Sequence, residues 1–119
     1  MSKRILVVDD EADVLEIIKD RLESHGYEVA TLTHGQQCIE FLKKDSVDLI
    51  LLDIEMPEMN GMEVLEIVHR DYPNIPVIIL SATTTRATAR GTLEKGAVDY
   101  ILKPFSPVEL MEKVRKYTS

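Results

Sequence analysis

Asp53 follows a run of four large apolar residues, Leu49 to Leu52, and a loop with Pro57, Asn60 and Gly61 comes after it. An apolar run this short, bounded by turn-forming residues, is typical of a strand buried on both faces of a parallel sheet. Asp53 is therefore predicted at the carboxyl end of a strand, the edge of an open α/β sheet where ligands bind. A carboxylate in that position is a candidate nucleophile or metal ligand.

Three further strand-like segments end in side chains that could bind a metal ion or a phosphate. These segments and the residues that follow them are Ile5–Val8 with Asp9 and Asp10, Val77–Leu80 with Ser81, and Val98–Leu102 with Lys103. Aspartates at strand ends often only cap turns, but three carboxylates converging in one cleft repel one another and normally bind a divalent cation. Oxygen ligands favour Mg²⁺, Mn²⁺ or Ca²⁺ over zinc, and the three histidines are predicted on the surface, away from the cleft: His25, His34 and His69.

Five strand-like segments alternate with five helix-like segments, which predicts a parallel sheet with helices on both faces. The second strand, Tyr27–Leu32, alternates apolar and polar residues and is therefore predicted at a sheet edge. The predicted fold class is α/β, flavodoxin-like, with five parallel strands in the order 2-1-3-4-5. This order brings the ends of strands 1 and 3 together, and with them Asp9, Asp10 and Asp53.

The helices differ in how strongly the sequence specifies them. Ser106-Pro107-Val108-Glu109 combines a capping box with a proline at the first helical position, which predicts the final helix. Asn60 is a candidate N-cap for the third helix, which ends before Pro73. The fourth helix, Thr83–Lys95, is the weakest, because Leu93 is its only large aliphatic anchor and Gly91 costs about 1 kcal/mol relative to alanine.

The composition predicts a single globular domain over residues 1–119 with protein partners. Of the 119 residues, 45% are hydrophobic and 29% are charged, and the net charge of −7 opposes binding to nucleic acid or to anionic lipid. No apolar run approaches the roughly 18 residues of a membrane span, so we expect a cytoplasmic protein. The single cysteine, Cys38, excludes an internal disulfide and is predicted to be a buried structural thiol.

The order and spacing of these motifs closely resemble the receiver domain of two-component response regulators over the whole chain. The matching motifs are Asp9-Asp10 after strand 1, Asp53 after strand 3, Ser81 after strand 4 and Lys103-Pro104 after strand 5. The resemblance implies that Asp53 accepts a phosphoryl group from a sensor histidine kinase or a phosphotransfer protein. Such a protein catalyses only its own phosphorylation and dephosphorylation, and it is not an enzyme with another substrate.

The resemblance also implies roles for the other site residues. Asp10, Asp53 and the backbone carbonyl of Glu55 would hold Mg²⁺, with Mn²⁺ as an alternative, and Asp9 would act through water. Ser81 and Lys103 would bind phosphoryl oxygens, and Tyr100 would reorient together with Ser81. The Lys103-Pro104 peptide is expected to be cis.

The resemblance places the output surface on helix 4, strand 5 and helix 5, which would contact a downstream protein or an effector domain. The weak fourth helix is the expected moving part. The receiver is expected to be a monomer or a weak, phosphorylation-dependent dimer, and it could be free-standing or belong to a longer regulator.

One departure and two other classes of function remain open. Glu55, two residues after Asp53, occupies a position that varies in the family, and its side chain could approach the metal or the attacking water. An Mg²⁺-dependent aspartyl-phosphate hydrolase of the haloacid dehalogenase type also has an acid two residues after its nucleophile. A flavodoxin-like mononucleotide binder shares the predicted fold, but it needs hydroxyl and glycine donors where this chain has Asp9-Asp10-Glu11.

Overall fold

The computed structural model describes residues 2–56, 61–82 and 86–119, and strands and helices alternate through these ranges. The strands are β1 Arg4–Val8, β2 Glu28–Leu32, β3 Leu49–Asp53, β4 Val77–Ser81 and β5 Asp99–Leu102. The helices are α1 Ala12–Ser24, α2 Gly35–Lys44, α3 Gly61–Asp71, α4 Arg86–Glu94 and α5 Pro107–Thr118. These elements confirm the predicted α/β alternation. Two predicted features, the Asn60 cap and the start of the fourth helix at Thr83, lie outside the described residues.

The five strands form one parallel sheet in the order β2-β1-β3-β4-β5, which confirms the predicted topology. The register pairs Val8 of β1 with Leu52 of β3, and Asp53 of β3 with Leu80 of β4. The carboxyl ends of the three central strands are therefore nearly level. β2 lies at one edge, as its alternating sequence predicted.

Successive residues of the central strands point to opposite faces of the sheet and build two separate cores. Leu6 and Ile50 belong to the core between the sheet and helices α2 and α3. Their neighbours Ile5 and Leu49 belong to the core on the other face, which α1 and α5 cover. Because both faces are covered, β1, β3 and β4 need continuous apolar runs, and these runs are what identified them in the sequence.

The ends of two helices follow from local sequence. α1 is followed by Gly26, whose φ of 90° lies in the left-handed region that favours glycine. At the start of α5, the Ser106 hydroxyl oxygen accepts a hydrogen bond of 3.0 Å from the backbone N–H of Glu109, and Pro107 opens the helix. The predicted N-cap of the last helix is thus confirmed.

Gly61 begins α3 in direct contact with the end of β3. A Cβ atom at this position would lie 2.4 Å from the Cα of Ile54 and 2.7 Å from the carbonyl oxygen of Asp53. Only glycine allows the helix to start this close to the strand. The first residue of α3 therefore packs directly against the backbone at the end of β3.

α4 does not use the anchor that the sequence suggested. Leu93 is 48% exposed, whereas its neighbour Thr92 is completely buried. The Thr92 hydroxyl donates a hydrogen bond of 2.8 Å to the carbonyl of Ala89, so its polar group is satisfied inside the helix. The expectation that Leu93 is the inward-facing anchor was therefore wrong, because the helix is rotated by one residue relative to that prediction.

Cys38 lies in the core of the α2 and α3 face and is fully buried, as predicted. Burial raises the pKa of its thiol to about 12, so the group stays protonated and behaves as a small apolar side chain. None of the helices in the described parts of the chain has the length and apolar character needed to span a bilayer.

Candidate functional site

The sheet register gathers the predicted site residues at one edge. Val8 of β1 pairs with Leu52 of β3. The residues that directly follow this pair, Asp9 and Asp53, therefore lie side by side. β4 and β5 are joined there by a hydrogen bond of 2.7 Å from the backbone N–H of Lys103 to the carbonyl of Ser81. The site is thus built from consecutive strand ends rather than from one loop.

Lys103 bridges two carboxylates that the sequence could only place near it. Its Nζ atom lies 2.6 Å from Oδ2 of Asp9 and 3.3 Å from Oδ2 of Asp53. Glu11 is more distant, with 3.6 Å between its Oε1 atom and the same Nζ. Both aspartates are buried and the ammonium is largely so, and buried charges of this kind need a partner of opposite sign.

Asp53 is a buried carboxyl group under opposing influences. Burial raises its pKa most, the backbone N–H of Glu55 lowers it through a 2.8 Å hydrogen bond, Asp9 raises it and Lys103 lowers it. The net result is a pKa of about 6, compared with an ordinary value of 3.8. The folded protein therefore holds the negative charge of Asp53 less well than the unfolded chain does.

The pKa of Lys103 is shifted in the direction that keeps it charged. Burial lowers this pKa, but the hydrogen bond and the negative charge of Asp9, together with the negative charge of Asp53, outweigh burial. The net pKa is raised above its ordinary value of 10.5. Lys103 is thus a permanent cation at the edge of the sheet.

Four carboxylates have oxygen atoms within 4.8 Å of one another: Asp9, Asp10, Glu11 and Asp53. The ligand set contains only oxygen and carries several negative charges, which suits Mg²⁺ or another hard divalent cation. Asp9 and Asp53 are buried, whereas Asp10 is exposed at the rim of the cleft. The chemistry of these groups fits a magnesium ion at the position where the sequence predicted one.

The side chain of Glu55 contacts the end of β4. Its Oε1 atom accepts a hydrogen bond of 2.6 Å from the hydroxyl of Ser81 and another of 2.6 Å from the backbone N–H of Ala82. The sequence suggested instead that this side chain could approach the metal or an attacking water. The backbone N–H of Glu55 is held by a hydrogen bond to Asp53. From this position the Glu55 side chain reaches the end of β4, where two hydrogen-bond donors lie within its length.

The remaining predicted residues lie on β5 and in the loop after it. Tyr100 is half-buried and packs against the core of the α2 and α3 face, and its carbonyl accepts a hydrogen bond of 2.7 Å from Nζ of Lys113. The Lys103-Pro104 peptide bond is cis. The three histidines are exposed, as predicted.

Sequence reasoning missed two parts of the site and one neighbouring network. The backbone N–H of Ala82 was missed because main-chain donors carry no residue signature. Glu11 was noted as nearby but not proposed as a member of the oxygen cluster. The network around Asp99, which joins β5 to α5, was also missed, although an aspartate followed by a lysine and a tyrosine on the next helix could have suggested it.

Comparison with known proteins gives one consistent family. A sequence model described as "Response regulator receiver domain" matches residues 5–115. The chemotaxis protein CheY of Thermotoga maritima is 38% identical over 117 residues, which cover 98% of both chains. The DNA-binding response regulator MtrA of Mycobacterium tuberculosis is 39% identical over 115 residues, which cover 97% of this chain and 50% of MtrA. The chain thus spans about half the length of relatives such as MtrA.

Solved structures show the same likeness in three dimensions. A CheY-like receiver domain from Methanospirillum hungatei has a TM-score of 0.93 and 34% identity, with coverage of 98% of this chain and 93% of that one. The response regulator TrrA from Thermotoga maritima, in complex with Mg²⁺ and beryllofluoride, has a TM-score of 0.88 and 36% identity. That match covers 97% of this chain and 98% of TrrA.

Proposed function

The chain belongs to the response regulator receiver domain family, and from this premise we propose that Asp53 accepts a phosphoryl group in a Mg²⁺-dependent reaction. The donor is a phosphohistidine of a sensor histidine kinase or of a phosphotransfer protein. The observation that carries the proposal is the position of the Asp53 carboxylate, 3.3 Å from the Lys103 ammonium and inside an oxygen-only acidic cluster. This arrangement provides a nucleophile together with a cation for the phosphoryl oxygens.

In the proposed reaction, a carboxylate oxygen of Asp53 attacks the phosphorus in line with the bond to the donor nitrogen. A P–O bond forms while the P–N bond breaks, and the leaving nitrogen keeps the electron pair and takes up a proton from water. Phosphoryl transfer of this kind depends on positioning and on neutralising the phosphoryl oxygens. Lys103 supplies a fixed positive charge, and the Ser81 hydroxyl supplies a donor. Bound Mg²⁺ would neutralise further oxygen charge, held by Asp10, Asp53 and the carbonyl of Glu55, with Asp9 acting through water.

The product is a signal, not a released metabolite. A phosphoryl group adds a charge of about −1.5 to −2 and three acceptor oxygens to the cleft, and these can draw in the Ser81 hydroxyl and shift α4. We propose that the surface of α4, β5 and α5 passes this change to a downstream protein or effector domain, with Tyr100 reorienting together with Ser81. The net charge of −7 makes a protein surface a better partner for this chain than nucleic acid.

The two other classes of function are not favoured. A haloacid dehalogenase-type hydrolase would direct the acid two residues after the nucleophile toward its substrate, whereas Glu55 binds Ser81 and Ala82. A mononucleotide binder would meet the acidic cluster at the phosphate position, and like charges repel there. Neither class agrees with membership of the receiver family.

The acceptor is tested by incubating the protein with a small phosphodonor, such as phosphoramidate, and Mg²⁺, followed by intact-mass measurement. We expect one phosphoryl group per chain, lost on treatment with base, and no labelling of Asp53→Asn. Equal labelling of Asp53→Asn would show that another residue is the acceptor.

The metal role is tested separately with Asp10→Asn. This variant keeps Asp53 but loses one candidate ligand, so we expect weaker Mg²⁺ binding in calorimetry and slower labelling. Glu40→Gln, which removes one exposed charge on α2, serves as the control and should match the parent. An unchanged Mg²⁺ affinity in Asp10→Asn would refute its role as a ligand.

A further inference from the structure

The Glu55 carboxylate joins two donors that lie next to each other at the end of β4. One oxygen atom, Oε1, accepts both the Ser81 hydroxyl and the Ala82 backbone N–H, each at 2.6 Å. These donors come from different chemical groups, one a side chain and one the main chain, yet they converge on a single point. Such a pair of converging donors is a small anion site, because both hydrogen bonds are strengthened when the acceptor is charged.

The Glu55 carboxylate and the Ala82 donor of this anion site lie in the cleft that contains the acceptor. Glu55, Ala82, Asp53 and Lys103 line the same cleft, together with the rim acids Asp10 and Glu11. A phosphoryl group on Asp53 would bring three anionic oxygens into that cleft, and donors that hold a carboxylate oxygen can equally hold a phosphoryl oxygen. The unphosphorylated chain therefore already presents an anionic oxygen to the donors that a phosphoryl group needs.

We propose that the Glu55 carboxylate is an internal occupant of the phosphoryl-oxygen position, which an incoming phosphoryl group has to displace. This inference rests on the proposed function of Asp53. It assigns two consequences to Glu55. The side chain competes with the phosphoryl group, and before phosphorylation it holds the Ser81 hydroxyl and the Ala82 N–H.

The reach of the side chain is what makes this occupancy specific to glutamate. The Glu55 backbone is held by a 2.8 Å hydrogen bond from its N–H to Oδ1 of Asp53, so its Cα has a fixed distance from β4. An aspartate at this position would be shorter by one C–C bond, about 1.5 Å. Its carboxylate would keep the charge but fall out of hydrogen-bond distance of both donors.

Two substitutions therefore separate contact from charge. Glu55→Asp keeps the charge and loses the reach, whereas Glu55→Gln keeps the reach and an acceptor oxygen but loses the charge. Glu55 is exposed, so both variants should fold, and thermal melting provides the check. Glu40→Gln controls for the loss of one surface charge.

The first measurement needs neither metal nor phosphodonor. Amide hydrogen exchange by NMR should show the Ala82 N–H exchanging about tenfold faster in Glu55→Asp than in the parent, because its acceptor has gone. Glu55→Gln keeps an acceptor oxygen but loses the charge that strengthens the bond, so its exchange rate should lie between those of Glu55→Asp and the parent. Equal exchange of the Ala82 amide in Glu55→Asp and the parent would overturn the proposal whatever the fate of Asp53.

The second measurement uses beryllofluoride as a phosphoryl mimic in the presence of Mg²⁺, with the affinity determined by calorimetry. Glu55→Asp should bind about fivefold more tightly than the parent, a factor that corresponds to about 1 kcal/mol, the net contribution of one hydrogen bond. If Glu55 acted only through its charge, Glu55→Asp would match the parent, and this result would also overturn the proposal.

The amide-exchange and beryllofluoride measurements test the role of Glu55 separately from the role of Asp53. Failure of both parent and variants to bind beryllofluoride or to be phosphorylated would refute the role of Asp53, and the Ala82 exchange would still decide the contact. Normal phosphorylation of all proteins with identical beryllofluoride affinities would leave the role of Asp53 intact and refute the role of Glu55.

Discussion

At the scale of single residues, the site is defined by a shortage of positive charge. Lys103 contacts both Asp9 and Asp53, while Asp10 and Glu11 add further negative charge to the same cluster. Without metal, one ammonium cannot balance these carboxylates. Burial raises the pKa of Asp53 most, and the negative charge of Asp9 raises it further. The folded state therefore pays an electrostatic cost that a divalent cation would relieve.

This cost predicts that Asp53→Asn melts at a higher temperature than the parent in EDTA. Because the pKa of Asp53 is raised from 3.8 to about 6, its stability contribution is full below pH 3.8 and is lost as the pH rises through 6. At pH 7 we expect removal of the charge to raise the free energy of unfolding by about 1–3 kcal/mol. Thermal or urea melts at pH 7 measure this difference.

The same melts in Mg²⁺ provide the control. The parent should gain about 1.4 kcal/mol at a Mg²⁺ concentration of ten times Kd, whereas Asp53→Asn should gain less because it lacks one ligand. A lower melting temperature for the variant in EDTA, or an equal gain of both proteins from Mg²⁺, would show that the aspartates do not form one site.

Sequence reasoning reached the site residues because they interrupt apolar runs. Asp9, Asp53 and Ser81 each stop a strand that is buried on both faces, and such a boundary is visible in one dimension. The contacts of the Glu55 side chain with Ser81 and Ala82 could not be predicted from the sequence. They depend on a side-chain conformation and on a backbone N–H at the end of the neighbouring strand. Contacts of this kind are settled by three-dimensional distance, which a residue pattern does not encode.

At the scale of elements, the start of α3 is constrained by the strand it follows. Gly61→Ala would place a methyl group against the backbone of Ile54 and Asp53, and backbone atoms cannot rotate away. We expect a loss of roughly 1–3 kcal/mol in the free energy of unfolding, as in other overpacked sites. Slower phosphorylation should accompany it, because the Asp53 carbonyl is displaced.

Gly91→Ala is the matched control for this substitution. Among the described residues, a Cβ at Gly91 would meet only the Cε atom of Met62, at 3.7 Å, which is an ordinary contact. Alanine in a helix interior should stabilise the protein by up to about 1 kcal/mol. Urea denaturation of both variants should therefore give changes of opposite sign, and equal changes would mean that the close approach at Gly61 is not what selects glycine.

β5 and α5 are joined through Asp99. Its Oδ1 atom lies 3.1 Å from Nζ of Lys113, and its Oδ2 atom accepts a hydrogen bond of 2.9 Å from the hydroxyl of Tyr117. Burial raises the pKa of this carboxyl, but hydrogen bonds from Tyr100, Lys113 and Tyr117 outweigh burial and leave it below 3.8. The carboxylate therefore stabilises the fold in its charged form.

Asp99→Asn should lower the free energy of unfolding by about 1–2 kcal/mol at pH 7. Because the folded pKa is lowered, this contribution is present above pH 3.8 and is lost as the pH falls through the folded value. Melting curves from pH 7 down to pH 3 should show the difference shrinking. Asp20→Asn, an exposed change on α1, should show no such trend.

The element predictions were accurate where the sequence carries a periodic apolar pattern. Helical spacing predicts Val14, Leu15, Ile18 and Leu22 on the inward face of α1, and the structure buries all of them except Val14, which is half-buried. The same spacing predicts Leu110, Met111, Val114 and Tyr117 for α5, where Tyr117 alone is half-buried. α4 has one large aliphatic residue, so no periodicity fixed its rotation about its own axis. The structure turns Thr92 inward and leaves Leu93 exposed, an outcome that tertiary packing decides.

At the scale of the whole molecule, the sheet separates a rigid part from a part that can respond. The strands β1, β3 and β4 are buried on both faces. By contrast, α4 is a short helix with few large apolar side chains. Regions with little buried apolar contact open at the lowest free energy. A change at the end of β4 should therefore be transmitted through α4 more readily than through the central strands.

Ser81→Ala tests this coupling. The variant keeps Asp53 and should still be phosphorylated, but it loses the hydroxyl that links the phosphoryl group to the end of β4. We expect phosphorylation to change hydrogen exchange in α4 of the parent and to leave α4 of Ser81→Ala unchanged. Identical changes in both proteins, measured by mass spectrometry, would exclude Ser81 as the link.

The contact between Lys103 and Asp9 joins residues that are 94 positions apart. A chain made from its N-terminus presents Asp9, Asp10 and Asp53 long before Lys103 follows, and contacts this distant form only after the intervening chain has closed. A nascent or truncated receiver thus carries the acids without their cation. With the role proposed for Asp53, its phosphorylation would therefore require chains in which β5 is already in place.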